Sequence, residues 1–233
     1  MNTTRILIFC ALTVTFCAHA TIRLVLTTAL AQAHYELRKN QFLTCFKTLE
    51  HYDYYPEDIY IIEAIAKEGP TFLDEYSDNV FYSTVNDPSL RNKGINEART
   101  MLEGLKFFDF DPDDMIIKLT GRYKMLSNDF LRLITEYSDQ FDAFARVNIW
   151  YPGSAGTMFF AMKYKYLKEM FEALNYEQME LLPTDIEREL GNYLLRKINE
   201  GNFKLCTVDR LNLEVNYFGS VGSSVDTDQI IIY

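Results

Sequence analysis

Along the first half of the chain, short runs rich in β-branched residues take turns with longer segments of helical period. Ile22–Thr28 (IRLVLTT), residues 58–63 (DIYIIE), residues 80–85 (VFYSTV) and residues 115–117 (MII) read as strands. Apolar positions over 31–51 and 95–108 recur at helical spacing, and 71–76 make at best a short helix. Such alternation predicts an α/β fold, a mainly parallel sheet flanked by helices on both faces. The second half adds helical patterns over 127–141, 164–174 and 183–199, with strand candidates over 141–148 and 203–208. Ser127 is the expected N-cap of the first of these helices. Residues 219–224 read as a mobile tail. With 233 residues, no internal repeat and no long linker, residues 21–233 are expected to form one domain.

In an open parallel sheet, ligands meet the carboxyl ends of the strands. The polar groups expected at that edge are Thr27 and Thr28, Glu63, the turn after Val85, and the run Lys118-Leu119-Thr120-Gly121-Arg122-Tyr123. The net charge of −10, without a long basic run, argues against nucleic acid. Local cations in an acidic chain therefore suggest an anionic ligand. Lys118 can act as a point charge, Arg122 as a bidentate fork, and Gly121 lets the backbone come close. Asn92-Lys93-Gly94, at a helix start, offers unpaired N–H groups and a second cation. There is no G-x-G-x-x-G after the first strand and no G-x-S-x-G, so neither a dehydrogenase nor an α/β-hydrolase is favoured.

Residues 92–99 (NKGINEAR), the strand 115–117 and the run KLTGRY at 118–123 together resemble small GT-A-type glycosyltransferases. The compact sugar transferases of large algal DNA viruses and of bacterial polysaccharide loci carry similar motifs. The resemblance spans roughly 22–217. It implies a nucleotide-diphosphate-sugar donor of UDP or GDP type, a Rossmann-like half that binds the nucleotide, and a glycan or other hydroxyl acceptor. It also implies an acidic base near the start of a helix in the C-terminal half, a place filled here by Asp185 and Glu187. Thr184 with Glu187 equally spells a capping box. Trp150 and Tyr151 could stack on a sugar or be ordinary core aromatics. Most members of that group place a D-x-D after the strand, where Mn²⁺ or Mg²⁺ bridges to the diphosphate. Here Thr120-Gly121-Arg122 stand instead, and the D-x-D at Asp109-Phe110-Asp111 precedes the strand and reads as a turn. A divalent ion held by fewer protein ligands stays open. The departure also motivates an alternative, a non-catalytic glycan-binding or scaffold protein of the same fold.

Arg5, the apolar run 6–18 and Ala18-His19-Ala20 spell a signal peptide or a short signal-anchor over 1–20. That would place the chain in the secretory lumen, outside the cell or on a membrane through 6–18; otherwise it is cytoplasmic. Cleavage after Ala20 leaves Cys45 and Cys206 as the only thiols, their redox state open, and removes the sole N-x-S/T acceptor, Asn2.

Overall fold

The computed structural model describes residues 21–147, 153–182, 184–218 and 226–232. The expected leader 1–20, the aromatic pair Trp150-Tyr151 and the tail 219–224 lie outside the described residues. Among the described residues, no helix is long and apolar enough to cross a membrane.

Strand β1 (Ile22–Thr28) leads through a 3-10 turn into α1 (Tyr35–His51), then β2 (Ile59–Glu63) and β3 (Asn79–Tyr82). Helix α2 (Lys93–Phe108) returns the chain to β4 (Met115–Thr120), followed by the two-residue β5 (Lys124–Met125) and α3 (Asp129–Tyr137). Next come β6 (Ala143–Ala145), β7 (Phe159–Lys163), α4 (Tyr164–Glu172), α5 (Tyr176–Leu181), α6 (Ile186–Asn199), β8 (Leu205–Thr207), β9 (Leu213–Phe218) and β10 (Asp226–Ile232). The central sheet has seven strands in the order β3-β2-β1-β4-β7-β6-β8. Only β7 runs against its neighbours, antiparallel to both β4 and β6. The expected mainly parallel α/β sheet is therefore present, and a three-stranded sheet, β10-β9-β5, sits beside it.

Period-two alternation sorts the strands' side chains onto two cores. Leu24 and Leu26 of β1, Ile59 and Ile61 of β2, and Met115, Ile117 and Leu119 of β4 join Phe42, Phe46 and Leu49 of α1 on one face. Val25, Ile62 and Ile116 pack on the other face with Ile95, Ala98, Met101 and Leu105 of α2. Each such buried side chain contributes on the order of 1.5–3 kcal/mol. Both faces are covered, so a central strand reads as a continuous apolar run, and β4 does so except at Lys118.

Several element boundaries differ from the expectation. The MII strand runs on through Thr120, because residues 118–120 continue the ladder with β1, Val25 against Lys118 and Thr27 against Thr120. The third strand stops at Tyr82; beyond it Ser83 Oγ turns to donate to Glu103 Oε2 of α2 (2.6 Å). The N-cap position of α3 belongs to Asn128 rather than Ser127, which instead hydrogen-bonds Asp129. Asp109 ends α2 in the left-handed conformation (φ 48°), the turn role expected of it. Asp113 and Asp114, at the opposite end of β4 from the strand-end pocket, pair with Lys165 and Arg23. Cys45 and Cys206 are both free thiols, and burial pushes the Cys45 thiol up to about 12.

Candidate functional site

At the carboxyl ends of β1, β2 and β4 lies a pocket of about 400 Å³, a size typical of small-ligand sites. Thr27, Thr28, Thr120, Arg122 and Tyr123 come to it from the strand ends. Asn92, Lys93 and Glu97 come from the start of α2, Thr157 and Met158 from the connection before β7, and Asp185 and Glu187 from the start of α6. Helix α1 adds Arg38 and Phe42. Of the twelve residues singled out from the sequence, nine line this one pocket; Glu63, Lys118 and Gly121 do not.

Glu63 is fully buried and acts beneath the surface. Its carboxylate accepts from Thr28 Oγ1 (2.7 Å) and from the N–H groups of Leu30 (2.9 Å), Ile65 (2.8 Å) and Ala66 (3.0 Å). One side chain thus fixes the two loops that leave β1 and β2. Gly121 donates its N–H to Thr27 O (3.0 Å), and a Cβ there would sit 3.2 Å from Thr28 Cγ2, so its role is close strand-end packing. Lys118, expected at the ligand, is 2% exposed. Its ammonium gives all three protons to Glu97 Oε1 (2.6 Å), Thr157 O (2.7 Å) and Thr120 Oγ1 (2.9 Å). It knits β4, α2 and the loop before β7, and has no proton left for a ligand.

The start of α2 is also committed. Asn92 caps it, its Oδ1 accepting from Gly94 N–H (3.0 Å), while its Nδ2 donates to Met179 O (2.9 Å) and Thr184 O (2.7 Å). Lys93 Nζ donates to Leu90 O (2.7 Å) and Pro88 O (3.1 Å). Glu180 takes the N–H groups of Arg91 and Asn92, which hold its carboxyl below the usual range. The expected spare N–H groups are thus largely used, and Asn92 serves to dock the lead-in of α6 onto α2.

That docking decides what Glu187 does. The expected capping box is not formed. Asp185 is the N-cap, its Oδ1 accepting from Arg188 N–H (2.9 Å), and Thr184 Oγ1 donates to Leu182 O (2.8 Å). Glu187 is left to face the pocket, where its Oε1 accepts from Thr157 Oγ1 (2.8 Å). Burial, and then the neighbouring Glu97 carboxylate, raise the Glu187 carboxyl above the ordinary carboxylate value of about 4.3. Exposed Asp185 is spent on the cap, so Glu187 is the better placed proton acceptor.

Two residues missed in the sequence complete the lining. Glu97 anchors Lys118 and adds to the rise of the Glu187 carboxyl that burial begins. Arg38 of α1 is 4% exposed, and its one side-chain hydrogen bond among the described residues runs from Nη1 to Gln41 Oε1 (3.3 Å). Burial, then the Arg122 guanidinium, lower its pKa to about 10. Arg122 lies over the Tyr123 ring (5.0 Å) and donates from Nη2 to its hydroxyl (2.8 Å). The pocket is thus acidic towards α2 and α6 and basic towards α1 and the β4 turn.

Among the described residues no three His, Cys, Asp or Glu side chains converge on a metal position. Lys118, Thr157 and the Arg188 N–H already occupy oxygens of Glu97, Glu187 and Asp185.

No family model matches the sequence, and no curated protein does. Solved structures do match the fold. A cytidylyltransferase from Leptospira borgpetersenii superposes with a TM-score of 0.50 at 13% identity, over 83% of this chain and 79% of that one. A candidate glucose-1-phosphate thymidylyltransferase from Bacillus anthracis gives 0.51 at 13% identity, over 81% and 87%. A glycosyltransferase involved in glycosylation of the major capsid of PBCV-1 gives 0.46 at 10% identity, over 81% and 82%, too loose a likeness to support a conclusion. At these identities the likeness is one of fold alone: the chain shares a Rossmann-like α/β architecture, a mostly parallel sheet flanked by helices, with these two nucleotidyltransferase structures.

Proposed function

We propose that the protein is a glycosyltransferase that moves a sugar from a nucleotide-diphosphate-sugar donor to a hydroxyl acceptor, with Glu187 as the base. The observation that carries this reading is Glu187 itself. It is a partly buried carboxyl released from capping duty, raised towards neutrality, and oriented by Thr157 in the same pocket as Arg122 and the strand-end threonines. In the proposed step the acceptor oxygen bonds to the anomeric carbon. The bond from that carbon to the diphosphate breaks with its electron pair going to the leaving oxygen, and the acceptor proton passes to Glu187. Arg122 meets the charge that develops on the diphosphate. Thr27 and Thr120 offer hydroxyls to the donor at the strand ends, Thr120 keeping its own proton because its Oγ1 accepts from Lys118. If residues 1–20 act as a leader, the transfer takes place in the secretory lumen.

A second reading, nucleotidyl transfer, draws on the names of the two structural neighbours. The connection after β1, residues 29–34, reads ALAQAH and has no glycine to let backbone N–H groups close on a triphosphate, which disfavours it. A panel of UDP- and GDP-sugars with simple glycoside acceptors separates the readings by product. The proposal expects a nucleoside diphosphate and a new glycoside. A nucleotide-sugar formed from a sugar phosphate and a nucleoside triphosphate would replace it by the second reading. Tight donor binding with no product would make the protein a non-catalytic binder.

A further inference from the structure

Strand β4 lies at the centre of the sheet, and Met115, Ile116, Ile117 and Leu119 on it are apolar and buried. Lys118 stands among them, with Val25 of β1 and Phe160 of β7 on either side. A buried ammonium carries a desolvation cost, and an apolar side chain of like volume often serves the fold as well. The lysine is explained instead by what it holds, since Glu97, Thr120 and Thr157 all line the pocket. Its bond to Thr157 O (2.7 Å) ties down the loop before β7, one residue from where Met158 O accepts from Thr120 N–H (2.8 Å). That loop grips Glu187 twice. Ala155 N–H donates to Glu187 O (2.9 Å), and Thr157 Oγ1 donates to Glu187 Oε1 (2.8 Å). Thr157, 6% exposed, is thus bonded through its carbonyl to Lys118 and through its hydroxyl to Glu187. Burial, then Glu97 of α2, raise the Glu187 carboxyl, Asp185 of its own helix adds to the rise, and the Thr157 hydroxyl opposes it.

We propose that Lys118 is a positioning residue: by anchoring the Thr157 carbonyl it aims the Thr157 hydroxyl at Glu187 and holds that carboxylate towards the pocket. The inference rests on the role given to Glu187 above and adds the residue that sets its geometry. Lys118 itself touches no ligand, because its protons are spent on Glu97, Thr120 and Thr157.

The Glu187 carboxyl is followed by ¹³C NMR titration of the full chain labelled at glutamate, its signal identified by its loss in Glu187→Gln. Thr157→Val keeps the carbonyl and deletes the hydroxyl. It should raise the Glu187 midpoint, since the charged form loses a hydrogen bond, and Thr157→Ser should restore it. Lys118→Met should raise the midpoint too, and by about half as much or less once Thr157→Val is present. A Lys118→Met shift of equal size in both backgrounds, or none in the wild-type background, overturns the proposal: Lys118 would then act as a bare charge or as core packing alone. Should Lys118→Met fail to fold, Lys118→Met with Glu97→Gln removes both charges of the pair and is read against Glu97→Gln in the same cycle. Turnover of UDP- and GDP-sugars with simple glycoside acceptors separates this from the functional reading. Thr157→Val should lower kcat on the order of 10- to 100-fold with donor KM within about threefold. Midpoints that move as stated, with no sugar transferred by the wild type, keep the positioning and sink the transferase reading. Transfer at the wild-type rate by Thr157→Val, with the Glu187 midpoint unmoved, does the reverse.

Discussion

Glu187 and Lys118 show how the same letters change meaning with their partners. TDIE at 184–187 spells a capping box, but Asp185 lies one position closer to the helix and takes the cap, so Glu187 is released. Lys118 looks like a strand-end cation until β4 continues past it and Glu97, 21 residues back on α2, closes a bridge at 2.6 Å. Neither outcome was legible, because each depends on a competitor or partner that only the fold brings near. Arg38 was equally hidden: an arginine on a helix reads as surface unless Arg122 and Tyr123 are known to lie close to it. The sign of the Glu187 effect on stability follows from its raised carboxyl. The folded state binds that proton more readily than the unfolded state, so the stabilisation is full below the unfolded value and is lost as pH rises through the folded one. Glu187→Gln should therefore be more stable than wild type at neutral pH, by about 1 kcal/mol, the usual yield of relieving a functional site. The advantage should shrink as pH falls towards the ordinary carboxylate range. Denaturant unfolding at several pH values measures it, and equal midpoints at neutral pH would contradict the account.

Among the elements, α6 matters most, since it carries both acidic site residues. Its seat depends on Gly191, where a Cβ would overlap the carbonyl of Gly153 and lie 2.8 Å from Ser154 Cα. Gly153 itself turns with φ +86°, and Ala155 N–H donates to Glu187 O (2.9 Å), fastening helix to loop. Gly191→Ala should cost about 1–3 kcal/mol through overpacking. It should also lower turnover more than donor affinity, because Glu187 moves while α1 and the strand ends stay. Thermal unfolding with steady-state kinetics checks both, and an unchanged melting temperature would show that the contact yields. Strands were read best where apolar runs were long, as in β1, whose bounds match the sequence pattern. They were read worst where a polar residue continues the ladder, as in β4, because periodicity cannot distinguish a buried lysine from a loop.

For the whole molecule, the alternation of strand and helix was enough to foresee a mainly parallel sheet, and a pocket does open at its strand ends. The single reversed strand β7 was not foreseen, since a short apolar run carries no sign of its direction. That reversal matters to the site: the connection into β7 arrives at the carboxyl ends of its neighbours and delivers Thr157 to Glu97's lysine and to Glu187. The pocket thus joins a basic floor from the first half of the chain to an acidic wall from α2 and α6. The most direct test of that division is the initial rate of nucleoside diphosphate release from a donor that the protein turns over, compared between wild type and Glu187→Gln at equal donor saturation. The account predicts donor affinity within about threefold and a rate reduced on the order of 100-fold or more, as expected for loss of a general base. Wild-type turnover in Glu187→Gln would contradict it.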